Sequence, residues 1–587
     1  LKQNPSIAAL RDRSDLMKYG EENALMLFAL QLKFGIEDID SVASVALTDG
    51  PNDKKCDLVY INRDNGIAIV AQGYLSPNEQ RRAARANKAS DLNTAVSWLI
   101  SGDVTTLPEV LRSAALELRD ALEKNQINDF YIWYCHNLSE SDPVQRELET
   151  ARGTAASLIR THYSSTQNPS VTWEEIGKDT LESLYTRTQA PIIVPEEYNL
   201  AIPGGFETSG DRWKAYCTSV NGKWLYDIWQ KHKSDLMSPN VRGYLGIVRS
   251  ERNINNGIKT TAREAPENFW IYNNGLTMLV NSYHVTRIGA SKNLKISGVG
   301  IVNGAQTTGS LGNLTEAEAK EIEQLQVMVR FVECSDPEVL GQIVKFNNTQ
   351  NKVEASDFRS KDPVQERLRT EFENIPDSDY RGGRRGGIRD AIERSKNLLA
   401  DNTVAQSLAA FHGQPNIAYN ETRRIWDDDA VYASVFSEKT SARHVVLTYS
   451  LQRAIEEIKR DLQRTEESER TQAANSHISF LRKRGSTSLF VTAISESLEI
   501  LTGKVIPSKW SLAFSDKCSP REGIEKWKPA ARALMPFVRQ LDSAVDNNLK
   551  SQEKVREAIK NFQAMVESSV EIDPSGYKRF SDMLEVA

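Results

Sequence analysis

Cys56-Asp57-Leu58-Val59-Tyr60-Ile61-Asn62 and Ile67-Ala68-Ile69-Val70-Ala71-Gln72-Gly73, separated by Arg63-Asp64-Asn65-Gly66, read as two apolar strands joined by a turn. Asn and Gly both tolerate positive φ, so Asn65-Gly66 between such runs is a strong hairpin signal. Upstream, a helix is expected over Asp15 to Phe34, with Glu21, Leu25, Phe28 and Leu32 on one face at near-helical spacing. Val42 to Leu47 reads as an earlier strand, followed by the turn-rich Thr48 to Lys55. Downstream come helices over Asn78 to Ile100 and Leu107 to Lys124, an apolar strand from Asp129 to Tyr134, and a helix around Val144 to His162. Residues 1–190 therefore read α-β-β-β-α-α-β-α, an α/β unit.

That order, with Asp57 opening the second strand and Gln72 ending the third, resembles the restriction-endonuclease-like core of the PD-(D/E)xK nucleases. Their chemistry needs oxygen ligands at adjacent strand ends, holding a divalent metal that activates water on a phosphodiester. The resemblance implies Mg2+ or Mn2+ on Asp57 and Gln72, with Glu21 as a further acid and Glu22 as its alternative. The expected catalytic set is Asp57, Gln72, Glu21 and Tyr74. Tyr74 stands where the pattern has a lysine, and a phenol carries no positive charge at neutral pH. Either another cation takes that place or the site is inactive. Arg81, Arg85 and Lys88 follow an i, i+4, i+7 row on the next expected helix and are the candidates. Asp57 also reads as a turn residue beside Asp53 and Gly50-Pro51-Asn52.

Residues 191–400 read as a second, mixed α/β unit carrying three amide-rich motifs. These are Asn273-Asn274-Gly275-Leu276-Thr277, Val302-Asn303-Gly304-Ala305-Gln306-Thr307-Thr308 and Asn347-Asn348-Thr349-Gln350-Asn351. Each adjoins an apolar run, which sets amides and hydroxyls at the ends of ordered elements. An amide both donates and accepts, so Asn273, Asn274, Asn303, Gln306, Thr307, Asn348 and Gln350 are candidates for reading a base edge, a nucleotide or a backbone. Asn-Gly alone requires only a turn, but a turn does not explain the trailing polar groups. Two basic clusters stand out, Arg381-Gly382-Gly383-Arg384-Arg385-Gly386-Gly387-Ile388-Arg389 and Arg482-Lys483-Arg484. Arg381, Arg384, Arg385 and Arg389 are candidate phosphate contacts, because guanidinium binds phosphate bidentately; an ordinary solvated loop is the alternative. Residues 401–587 read as mostly helical, with candidates at Thr403 to Phe411, Ala442 to Thr465, Ser488 to Thr502 and Val555 to Val570.

The middle of the chain resembles the AIPR family, the abortive infection phage resistance proteins. The resemblance runs from Asn240-Val241-Arg242-Gly243-Tyr244-Leu245-Gly246 through Phe269-Trp270 and the three amide motifs. It continues through Asp357-Phe358-Arg359 and Asp362 to Gln365 toward Thr403. It implies an antiphage role through cleavage or sensing of nucleic acid, with a phage-derived trigger as a further expected partner.

At 587 residues, 40% hydrophobic and 26% charged, the chain exceeds one core and has no disordered signature. The net charge of −6 disfavours a large unspecific nucleic-acid surface, though local patches override it. No apolar run reaches membrane-spanning length and Leu1 to Arg13 lacks a signal-peptide core, so a cytoplasmic location without a membrane partner is expected. Cys56, Cys135, Cys217, Cys334 and Cys518 form no CxxC pair and read as buried small hydrophobes; the histidines show no metal spacing. A homodimer is the base-rate expectation. The leading reading is a metal-dependent nuclease in phage defence. Its rival is a degenerate sensor that binds nucleic acid, a nucleotide or a phage component through the amide motifs. The third is a structural partner in which those motifs only build turns.

Overall fold

The structure is a computed structural model and describes residues 5–48, 53–78, 81–163, 168–189, 194–233, 236, 249–288, 291–336, 339–340, 342–343, 359, 362–382, 397–465, 469–546 and 548–586. Four strands form the N-terminal sheet in the order β1 (Leu58–Asn62), β2 (Ile67–Tyr74), β3 (Asp129–His136) and β4 (Ser170–Ile176). β1 and β2 are the expected hairpin, with Leu58 opposite Ala71 and Asn62 opposite Ile67. Gly66 closes it at φ +67, where a Cβ would collide with the Asn128 side chain. β3 and β4 run parallel to β2. One face of the sheet packs Ile69 and Trp133 with Phe28 of the helix Glu21–Phe34. The other packs Val70 and Ile132 with Leu92, Leu118 and Leu148 from the helices Ala86–Ser101, Glu109–Glu123 and Asp142–His162.

Three local expectations are corrected. Val42 to Leu47 is not a strand: Ile39–Ala46 is a helix that buries Ile39, Ala43 and Ala46, and Asp38 caps it by accepting from Ser41 N–H at 3.1 Å. The helix packs on the sheet, and Leu47 at its end forms an isolated bridge to Leu58. β4 is additional, and the helix expected from Asn78 begins at Ala86.

The central sheet has the order β5 (Val194–Ile202), β10 (Ser291–Asn303), β8 (Leu276–Val280), β11 (Gln326–Cys334), β7 (Trp213–Asn221) and β6 (Phe206–Gly210), with β9 (Ser282–Ile288) also on β10. Its main core packs Met278, Val329 and Phe331 with Leu225 and Trp229 of the helix Gly222–His232 and Leu311 of the helix Ala305–Gly312. A small cluster, Ala215, Leu279, Val302 and Val332, lies on the opposite face under Leu340 and Ile343. The chain is thus mixed α/β with a helical C-terminal region. The helices Asp401–Phe411, Ala442–Arg464, Ser486–Glu496 and Gln552–Ile572 build one large core, and Leu368, Phe372, Tyr380 and Leu399 already belong to it. No described helix is long and apolar enough to cross a membrane. All five cysteines are free; Cys56, Cys135 and Cys518 are buried, whereas Cys217 and Cys334 are only partly so.

Buried ion pairs join the N-terminal unit to the helices. Arg453 Nη2 meets Asp38 at 2.6 Å and its Nη1 meets Glu456 at 2.7 Å, with the Asp38 and Arg453 side chains 9% and 8% exposed. Thr403 also donates to Asp38, and Lys459 donates to Ser44 carbonyl at 2.5 Å. Arg484 Nη1 pairs with Glu117 at 2.7 Å, Arg484 Nη2 donates to Val59 carbonyl at 2.6 Å, and Tyr419 donates to Glu117 at 2.8 Å. Arg484 and Lys483 were candidates for an open basic patch. Instead, Arg484 is buried and Lys483 is paired with Asp542 and Asp546. Removing one partner of a buried pair strands the other charge. Arg453→Met should therefore cost about 3–5 kcal/mol in urea unfolding, and Asp38→Asn added to it should recover part of that loss.

In the helical core His444 Nδ1 lies 2.8 Å from Leu512 carbonyl and its Nε2 lies 2.9 Å from Nε2 of His412, which stacks on Trp510. A carbonyl only accepts, so neutral His444 carries its proton on Nδ1 and its Nε2 accepts a hydrogen bond from the Nε2–H of His412. Burial pushes His444 down to about 4 and His412 down to about 2, where His444 adds to the effect. The unfolded imidazoles protonate near 6.5 while the folded ones stay neutral. Stability present above that pH is lost as pH falls, by about 1.4 kcal/mol per unit for each imidazole. Chemical unfolding followed from pH 6.5 to pH 4 should show that slope, and His444→Gln should halve it.

Candidate functional site

Three strand ends and a hairpin strand converge at one end of the N-terminal sheet. Because β2, β3 and β4 are parallel, Gln72, Tyr134 and Glu175 are cross-strand neighbours. Asp57 stands at the start of antiparallel β1, where its N–H donates to Ala71 carbonyl at 3.0 Å. Residues directly opposite share a face, and alternation puts Asp57, Gln72, Tyr74, Tyr134 and Glu175 on the side of Val59, Val70 and Ile132. The structure thus brings Asp57, Gln72 and Tyr74 together.

Asp57 Oδ2 accepts from Gly73 N–H at 2.8 Å, which fixes the carboxylate against the end of β2. Gln72 is 2% exposed, and its Oε1 is buried without a hydrogen-bond partner. Leaving such an oxygen unmatched costs about 1–3 kcal/mol. Tyr74 is half-buried against the core. Glu22, rather than Glu21, is the acid that reaches this edge, accepting from Leu75 N–H at 3.1 Å. It comes from the other face of the sheet, where its helix lies against Gly73. A Cβ on Gly73 would stand 3.3 Å from Glu22 carbonyl.

Tyr134 reports the electrostatics of the edge. Its phenol is driven well above its ordinary range by burial, then by Tyr74, Glu175 and Glu22, and is drawn back by Arg85. Arg85, at the N-cap of the helix Ala86–Ser101, also accepts from Tyr134 through its carbonyl at 3.4 Å. Arg81 lies ahead of that helix, so the three cations do not form the expected helical row. Two residues at this edge carried no recognised signal. Leu138 N–H donates to His136 Nδ1 at 3.3 Å, so Nε2 bears the proton toward Glu175 Oε1 at 3.1 Å. Ser141 N–H also donates to Glu175, and the buried pair braces β3 against β4. Recognising β4 would have set Glu175 beside this end.

The described residues hold no group of three His, Cys, Asp or Glu arranged for a metal. A hard divalent ion needs only one or two carboxylates, with other oxygens and waters completing its shell. The donor chemistry here, one carboxylate beside an unmatched buried amide oxygen, fits Mg2+ or Mn2+ on Asp57 and Gln72.

Two of the amide motifs meet on the central sheet. Asn303 at the end of β10 lies opposite Thr277 on β8. Gly275 at φ +74 and Gly304 at φ +100 permit the contact: a Cβ on Gly275 would stand 2.6 Å from Met328 carbonyl, and one on Gly304 2.5 Å from Leu276 Cγ. Asn273 is partly committed, its Nδ2 donating to Phe269 carbonyl at 3.3 Å, while Asn274 is exposed. Gln306 is half-buried in the first turn of the helix Ala305–Gly312, and Thr307 is buried. Arg330, which the motifs did not flag, donates to Thr277 Oγ1 at 2.9 Å. Arg381 pairs with Asp379 at 3.5 Å, and Arg369 donates to its carbonyl, so it is tied to its own loop. Asn348, Gln350, Arg384, Arg385 and Arg389 lie outside the described residues.

A model of the family described as AIPR protein matches residues 237–570, more than half of the chain; it begins after the N-terminal sheet and after β5 to β7. No curated protein and no solved structure matches the chain. The chain belongs to the AIPR family, and with that membership goes a role in abortive infection and phage defence.

Proposed function

We propose that the protein defends against phage as a metal-dependent nuclease whose reaction centre is the Asp57 end of the N-terminal sheet. The observation that carries this reading is the buried, unmatched Gln72 Oε1 beside the fixed Asp57 carboxylate. Asp57 and Gln72 would hold the ion, which when bound polarises a phosphodiester and lowers the pKa of a water. The carboxylate is held in place by Gly73 N–H, so it is oriented before any ligand arrives. Arg85, near enough to act on Tyr134, replaces the lysine as the positive charge offsetting phosphate. Tyr74 offers a hydrogen-bond donor rather than a charge. Glu22 approaches from the opposite face and orders the segment that leaves β2.

The phenol at Tyr74 favours a second reading, in which the unit has lost hydrolysis and the protein acts by binding alone. One experiment separates the two. Purified protein with plasmid or single-stranded RNA in Mg2+ or Mn2+ should cleave at least one substrate. Asp57→Ala should lower the rate by about a hundredfold or more, with Gln72→Ala and Arg85→Ala each lowering it about tenfold. Cleavage indifferent to Asp57→Ala would remove this edge from the mechanism, and the absence of cleavage would leave binding as the function.

A further inference from the structure

A line of side chains crosses the central sheet on the face away from its main core. Asn303 on β10, Thr277 on β8, Arg330 on β11, Cys217 on β7 and Phe206 on β6 are successive cross-strand partners. Residues directly opposite point to the same face, and five strands at about 4.8 Å spacing extend this line over roughly 19 Å. The same face carries Ala215, Leu279 and Val332, two residues along their strands from Cys217, Thr277 and Arg330, in a cluster packed under Leu340 and Ile343. Thr277 is itself buried, and Arg330 and Phe206 are exposed.

Its chemistry is mixed in one particular way. Phe206 is 65% exposed, and Trp270 is 46% exposed with its Nε1 donating to Ser219 Oγ at 2.9 Å. Ser219 lies two residues from Cys217 and so on the same face. Tyr272 is also exposed. Next to Cys217 in the line, Arg330 is exposed; its hydrogen-bond partner is the neutral Thr277 hydroxyl, and it makes no ion pair among the described residues. Its charge is felt across the line, since it opposes the rise that burial imposes on the Cys217 thiol. Asn303 ends the line opposite Thr277, and Asn274, three residues before Thr277, is exposed.

An occupant must bring negative charge to Arg330, flat apolar faces to the rings, and polar edges to the amides. A nucleotide strand carries all three. A duplex stacks its base faces on one another, so the exposed rings would gain nothing from it; an unpaired strand leaves those faces open. We propose that this line is a binding site for single-stranded nucleic acid. Bases stack on Trp270 and Phe206, a phosphate sits on Arg330, and Asn303 and Asn274 contact base edges. The proposal rests on nucleic acid being the ligand in the preceding reading and is independent of cleavage at Asp57.

Fluorescence anisotropy with labelled oligothymidylate, oligouridylate and a duplex tests it, in buffer without divalent metal. The wild-type protein should bind one or both single strands more tightly than the duplex. Trp270→Ala should weaken that binding by about tenfold, the scale of one lost stacking contact. Arg330→Gln, which keeps a donor for Thr277, should weaken it and reduce the salt slope by about one. Arg521→Ala, on an exposed side chain of the helical region, should change nothing. Wild-type affinity in the Trp270 and Arg330 variants would overturn this site while leaving nucleic acid as the ligand, as would tighter binding of the duplex. Binding of none of the three probes by the wild-type protein would overturn both.

Discussion

The contact between Asp38 and Arg453 holds more of the molecule in place than its single ion pair suggests. Asp38 also caps the helix Ile39–Ala46, whose end places Leu47 against Leu58 and Thr48 N–H on Asp57 carbonyl. The pair therefore fixes the strand start on which Asp57 stands. Arg484 reinforces it from the other side, reaching Val59 carbonyl while it neutralises Glu117. Two buried charges cost more to desolvate than an apolar contact, so such pairs contribute specificity more reliably than stability. Here the specificity is one orientation of the N-terminal unit on helices that lie within the AIPR match.

This coupling bears on how the two candidate regions relate. The N-terminal edge uses the carboxyl ends of parallel strands, where side chains from neighbouring strands converge without backbone competition. The central sheet offers instead a broad face with exposed rings and the Arg330 guanidinium, which has no ion pair among the described residues. The proposed reaction centre and the proposed strand-binding face stand on separate sheets, an arrangement that would let capture and cleavage be tuned independently. The edge also has its own internal order: His136 and Glu175 satisfy one another and Ser141 N–H, so β3 and β4 remain in register beside Gln72.

What the sequence revealed depended on whether a signal was local. Asn65-Gly66 between apolar runs carries its own turn chemistry, and the hairpin placed Asp57 beside Gln72 as expected. Val42 to Leu47 misled because its short apolar run fits a strand or a helix, and the Asp38 cap lies four residues upstream. β4 was overlooked because its first half is largely solvent-facing, and Glu175 went with it. The Arg482 to Arg484 cluster looked like an open surface because composition cannot reveal a partner 367 residues away. Arg330 was equally silent: one arginine in an apolar strand becomes notable only when Thr277 and Cys217 flank it.

The amide motifs show why a turn and a binding surface need not be competing explanations. Gly275 and Gly304 answer to the scaffold, since each has positive φ and close neighbours that leave no ordinary place for a side chain. Their effect is to bring the start of β8 against the end of β10, so that Asn303 meets Thr277. Thr277 in turn accepts from Arg330 and fixes where that guanidinium stands. The glycines supply the approach and the polar residues occupy its rim. Asn, Gln and Thr have no ionised acid or base to drive hydrolysis, but converging donors and acceptors around a held arginine are suited to recognition. The motifs that identify the chain thus lead away from Asp57 and toward Arg330.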